Sequence, residues 1–134
     1  MANHKIFTPE LPARGAFILR ILQAAMVIAL VAGSLLPRAL KGVTHTNGTP
    51  HRFVHMLAFA VTGGLTGLVS RSCARPALLI ALGFALEIAQ HLFYGGPFEW
   101  GDVRDDTAGV VTGLALVAVL VNRWSQNLEP ESER

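Results

Sequence analysis

Seven side chains carry whatever chemistry this chain can do. His55, Glu87, Gln90, Asp102 and Asp106 interrupt or border stretches that are otherwise apolar, and Arg52 and Arg104 stand beside them in sequence. His55 suits a general base and Glu87 a general acid. Two carboxylates near a histidine also suit a divalent cation. A third arrangement has His55, Arg52 and Arg104 gripping a phosphate while Glu87 and Asp102 receive donors from the same ligand. No Ser or Cys is placed as a nucleophile, and Thr107 is the nearest hydroxyl. His51/His55 and Glu87/His91 repeat only at i,i+4, too little to specify a metal, so no metal and no cofactor is expected.

Glu87 sets the terms for the elements that hold these groups. It lies in Pro76–Tyr94, which is apolar up to Gln90 except for Glu87 itself. About 20 such residues at a 1.5 Å rise cross a ~30 Å hydrocarbon layer. A carboxylate at such a depth is costly, so it needs a partner or a wet cavity. Composition agrees with a membrane setting: of 134 residues 51% are hydrophobic and only 15% charged, against about 25% charged in soluble domains. The net charge of +2 is spread thinly, with no basic stripe for nucleic acid. The lone cysteine, Cys73, can form no internal disulfide and reads as an inert thiol in a short loop.

Four apolar segments follow one another, and strand alternation is absent. The expected fold is all-α, an integral membrane four-helix bundle, with helices over about 17–36, 52–70, 76–94 and 104–121. A segment 1–16 precedes them and a polar, frayed tail 122–134 follows. Breakers support these limits: Pro37, the Gly- and Asn-bearing loop Arg38–Pro50, the basic turn Arg71–Pro76, and Tyr94-Gly95-Gly96-Pro97. The first segment is too long for a cleaved signal core and lacks a small-residue cleavage site. With the N-terminus inside, Lys5, Arg14, Arg20, Arg71, Arg75, Arg123 and Arg134 lie inside, and Arg38, Lys41, Arg52 and Arg104 outside. This bias predicts both termini in the cytoplasm, in a cytoplasmic (inner) membrane.

That topology gathers the polar residues at one level, the outer leaflet. The second helix opens there with His51, Arg52 and His55, the third closes there with Glu87, Gln90 and His91, and the fourth starts there after Glu99 with Asp102, Asp105 and Asp106. At 100° per residue Gln90 and His91 lie within about 60° of Glu87. Small residues continue the same faces: Gly63 and Gly67 on the second helix, Gly83 on the third, Gly109 and Gly113 on the fourth. Such faces let membrane helices approach closely, in the bundle or between copies of the chain, so an oligomer through either Gly face is possible. Packed together within the bundle, they would set His55, Glu87, Gln90, Asp102 and Asp106 around an outward-opening pocket. Plainer readings stay open. Glu87 pairs structurally with His55 or Arg52, Asp102 and Asp106 complement a helix dipole, Asp105 faces solvent, His51 and His91 mark the interface, and Tyr94 and Trp100 form an aromatic belt.

At these residues the sequence resembles the VanZ-like family of small membrane proteins. The family pattern opens one helix with His-x3-Tyr, closes the next with Glu-x2-Gln followed by an Arg-containing loop, and enters the last with Asp-x3-Asn-x2-Gly-x3-Gly. His55 and Phe59 fit the first element, Glu87 and Gln90 the second, and Asp102, Asp106, Gly109 and Gly113 the last, with Phe and Asp in the Tyr and Asn places. The loop arginine is missing near Gly96, where Arg52 or Arg104 stands as a replacement. The likeness covers about Leu36 to Leu120. The namesake is associated with teicoplanin resistance, so the resemblance implies a cell-envelope setting.

Three functional expectations result. In the first, the pocket binds a lipid head group or a lipid-linked envelope precursor through His55, Glu87, Gln90, Asp102, Asp106, Arg52 and Arg104. In the second, a membrane-embedded enzyme acts on such a lipid through His55 and Glu87, with Asp102 a further catalytic candidate. In the third, the charges pair internally and the protein is structural. The expected partners are the lipid bilayer and such a precursor, with no nucleic acid. Transport is disfavoured because the inner half lacks a polar lining.

Overall fold

A computed structural model describes residues 12–36, 49–70 and 72–127, without the side chains of 49–51. The loop Arg38–Pro50 lies outside them up to residue 48, as do the head up to residue 11, Arg71, the tail from residue 128 and the side chain of His51. Four helices fill the described residues: α1 Ala13–Ser34, α2 Thr49–Val69, α3 Ala74–Tyr94 and α4 Trp100–Asn127. All four are long and apolar enough to cross a membrane, and no strand occurs among the described residues. The chain is an all-α, multi-pass membrane protein.

Its packing matches that solvent. Among the described residues the buried apolar core is small, Leu30, Phe59, Leu79, Leu86 and Val110, while Leu92 is 73% and Phe93 76% exposed. A soluble bundle would hide side chains of this size; hydrocarbon takes them without cost. Trp100 and Trp124 are both exposed. They stand about 36 Å apart along α4 at 1.5 Å per residue, which brackets a ~30 Å apolar layer with an aromatic group at each interface.

The fourth helix differs from expectation at both ends. It begins at Trp100 and continues to Asn127, so part of the expected frayed tail is helical. No Pro or Gly interrupts Asn122–Asn127, and a helix already nucleated in the membrane continues until a breaker stops it. The third helix ends as its glycines require. Gly95 takes φ +63°, and its N–H donates to the His91 carbonyl at 3.1 Å, a left-handed cap that glycine adopts without steric cost.

The most extensive contact in the molecule joins α2 and α4; α1 packs on α2, and α3 on α4. Residue pairing shows that α2 and α4 run parallel, since Arg52 meets Asp102, His55 meets Asp106, and Gly64 lies against Gly113. Their backbones touch. A Cβ on Gly113 would overlap the Ala60 carbonyl oxygen and lie 2.7 Å from the Gly64 nitrogen; one on Gly63 would lie 2.7 Å from the Val110 oxygen. The two small-residue stripes therefore meet each other inside one chain. Gly63, Gly109 and Gly113 are buried in that contact. Phe59 fills the space between α2, α3 and α4 and is fully buried, its ring against Gly83 and its Cβ against Gly109.

Candidate functional site

Parallel helices that touch along their length bring their first turns face to face. Arg52 and His55 on α2 therefore confront Asp102, Asp105 and Asp106 on α4. The Arg52 guanidinium reaches Asp105 Oδ2 at 2.7 Å through Nη2, and its Nε lies 3.7 Å from Asp102 Oδ1. Gly101 leaves room for it, since a Cβ there would stand 3.1 Å from Nη2. His55 Nδ1 lies 3.6 Å from Asp106 Oδ1. That distance is too long for a direct hydrogen bond and fits an ion pair or a bridging water.

Three carboxylates of this end are buried: Glu87, Asp102 and Asp106 at 5%, 7% and 5% exposure. Asp106 lies across the bare backbone of Gly83, whose absent Cβ would be 3.2 Å from Oδ2. That contact brings α3 to the same level. Glu87, one turn further along α3, points at the start of α4, where Oε1 accepts the Glu99 N–H at 2.7 Å. The first N–H groups of a helix have no partner within it, and they mark the positive end of its dipole. Glu87 thus supplies from a neighbouring helix what a capping residue supplies locally. Arg52 and His55 meet the aspartates of α4.

The structure brings Arg52, His55, Asp102 and Asp106 together, with Glu87 joined to them through the start of α4. Gln90 is half-buried on α3. Asp105, read as solvent-facing, is instead a bridge: Oδ2 takes Arg52, and Oδ1 takes Arg104 Nε and Nη2, each at 3.1 Å. No signal in the sequence separates Asp105 from its acidic neighbours, because its role depends on the rotation of α4. Arg104 stands apart from the buried group. With Trp100, Val103, Thr107 and Val111 it lines a shallow groove of about 570 Å³ on α4, and none of His55, Glu87, Asp102 or Asp106 lines that groove.

The remaining polar groups near this end are structural. His91 Nδ1 bonds the Gly96 carbonyl, and the Tyr94 hydroxyl donates to the Leu35 carbonyl, tying the end of α3 to the end of α1. Trp100 is exposed at the expected interface, and it also packs with Phe98 and Phe84 at centroid separations of 4.8 and 6.1 Å. Among the described residues no group of three or more His, Cys, Asp or Glu is arranged to hold a metal ion. Comparisons with protein-family models, with curated proteins and with solved structures find no match to this chain.

Chemically, the site is a patch of opposite charges packed at one end of apolar helices. Carboxylates outnumber cations in it. Arg52 is shared by two aspartates, and Asp106 holds the imidazole of His55 on one side.

Proposed function

We propose that this is a membrane protein of the VanZ-like type in which the group Arg52, His55, Glu87, Gln90, Asp102 and Asp106 binds a lipid head group or a lipid-linked precursor of the cell envelope. One observation carries the proposal: three carboxylates are buried beside a partly exposed arginine and a half-buried histidine at one end of a largely apolar helical assembly. Such groups are costly in a membrane and mark sites. The surplus of carboxylates favours a ligand that brings hydrogen-bond donors, such as sugar hydroxyls or an amine, with Arg52 the contact for a phosphate. The Lys and Arg distribution supports reading the site at the outer leaflet of the cytoplasmic membrane with both termini inside. The resemblance extends the reading to the envelope and its response to glycopeptide antibiotics.

Native mass spectrometry of detergent-purified protein tests this. Wild type should retain a co-purified lipid that Glu87→Gln loses, although the amide oxygen of glutamine keeps an acceptor for the Glu99 N–H and so preserves the fold. Equal retention by both proteins refutes the binding role.

A second reading rests on the His55–Asp106 pair. A carboxylate beside an imidazole orients a general base, and Glu87 would serve as the acid in a membrane-embedded enzyme acting on the same lipid. In that case His55→Gln abolishes turnover of a lipid-linked precursor while its retention persists.

A further inference from the structure

Arg104 ends a line of alternating charge that runs out of the protein. Asp102, buried, faces Arg52; Arg52 contacts Asp105; Asp105 contacts Arg104, whose side chain is 75% exposed. Both oxygens of Asp105 are shared between two guanidinium groups, so one carboxylate faces two positive charges and the exposed end of the line stays cationic. Nε and Nη2 of Arg104 turn to Asp105, and the donors on Nη1 remain for another acceptor.

This cationic end sits at the top of the α4 groove. Arg104 and Ala108 lie about 160° around α4 from Asp102 and Asp106, on the side away from α2. Below Arg104 the groove is lined by Val103, Thr107, Ala108, Val111 and Thr112. The Thr107 hydroxyl is already donated to the Val103 carbonyl at 2.8 Å, so this lower part offers a ligand no free donor from Thr107. Trp100 forms the upper wall, and its ring is fixed by Phe98 and Phe84. The groove is thus cationic at the interfacial end and mostly apolar along the rest, with Thr112 at its far end.

We propose that this groove is a second, separate site that holds one anionic phospholipid, its phosphate on Arg104 and an acyl chain along Val103, Ala108 and Val111. The polarity gradient matches a single lipid molecule, and the charge at its head selects an anionic over a zwitterionic one. The site depends on the membrane setting and not on a ligand at the buried cluster.

The test is lipid titration of purified full-length protein followed by native mass spectrometry, with phosphatidylglycerol and phosphatidylcholine of identical chains. Wild type should bind one phosphatidylglycerol in preference to phosphatidylcholine. Arg104→Gln should weaken phosphatidylglycerol about tenfold, the factor that one charge-assisted hydrogen bond supplies, and weaken phosphatidylcholine less, so that the preference between the two narrows. Ala108→Phe, which fills an exposed groove and leaves the helix contacts intact, should weaken both lipids. Glu87→Gln should change neither, which separates this site from the buried cluster. Four results overturn the proposal: equal binding of the two lipids by wild type; loss of phosphatidylglycerol in Glu87→Gln but not in Arg104→Gln; displacement of the lipid by inorganic phosphate alone; or a wild-type dimer that Ala108→Phe abolishes, which would make the groove a contact between copies.

Discussion

The two ends of the α2–α4 contact are held by opposite means. At one end long charged side chains, Arg52 and His55 against Asp102, Asp105 and Asp106, span the gap between the helices. Further along, Gly63 and Gly64 meet Gly113 and Val110 with backbone against backbone. The first end can adjust, because long side chains span the gap between the backbones. The second cannot, because a single methyl group meets a carbonyl. Rigidity at the glycine end is therefore what fixes the aim of the groups at the charged end.

The largest effect is expected where the backbones touch. Gly113→Leu should force the helices apart at a cost of about 3 kcal/mol or more, seen as an early midpoint in denaturant-detergent unfolding. Gly33→Ala is its control: a Cβ there meets nothing within 4 Å, and stability should change by less than about 0.5 kcal/mol. If Gly113→Leu unfolds like wild type, the glycine contact does not set the geometry.

An intermediate effect is expected at the charged end. Glu87→Ala leaves the Glu99 N–H without its acceptor, costing about 1–3 kcal/mol, whereas Glu87→Gln keeps an oxygen in place and should cost much less. Comparing the two midpoints separates the structural bond of Glu87 from its charge. A Glu87→Gln variant that is stable but has lost its lipid would assign the charge to binding.

The smallest effect tests a polar bond at the glycine end. Gln23 of α1 donates to Thr66 Oγ1 at 2.8 Å, and Thr66 donates to the Thr62 carbonyl at 2.8 Å. Interhelical hydrogen bonds in membranes are worth about 0.6 kcal/mol, so Gln23→Leu should shift the unfolding midpoint only slightly. A shift as large as that of Gly113→Leu would mean that α1 is anchored by this bond and that the comparison needs a third term.

Much of this was legible in the residues. The segments around Glu87 and His55 read as membrane helices because length and summed apolarity suffice for that inference. The Gly63/Gly67 and Gly109/Gly113 stripes read as close-packing faces that meet within the bundle, though the residue-by-residue register of that contact does not. The fourth helix was expected too short, since its polar end carries no apolar signal while lacking any breaker. Glu87 was recognised as a carboxylate in need of a partner, but its acceptor role toward Glu99 was not, because a backbone N–H has no letter in the sequence. That Asp105 bridges Arg52 and Arg104 is not legible for a related reason: neighbours on a helix face directions about 100° apart, and only the rotation of α4 decides which direction is inward.

The sequence by itself determined that this chain crosses a membrane several times and that the histidines and carboxylates of its last three helices gather at one level of it. Both are sums over composition and position along the chain, and need no knowledge of which helix touches which. Tertiary structure alone decided the pairings: Arg52 with Asp102 and Asp105, His55 with Asp106, Glu87 with the start of α4, and Arg104 with Asp105 at the exposed edge. Those depend on how α2, α3 and α4 are rotated about their axes. That rotation is set by where backbone can approach backbone, at glycines whose partners are not written beside them.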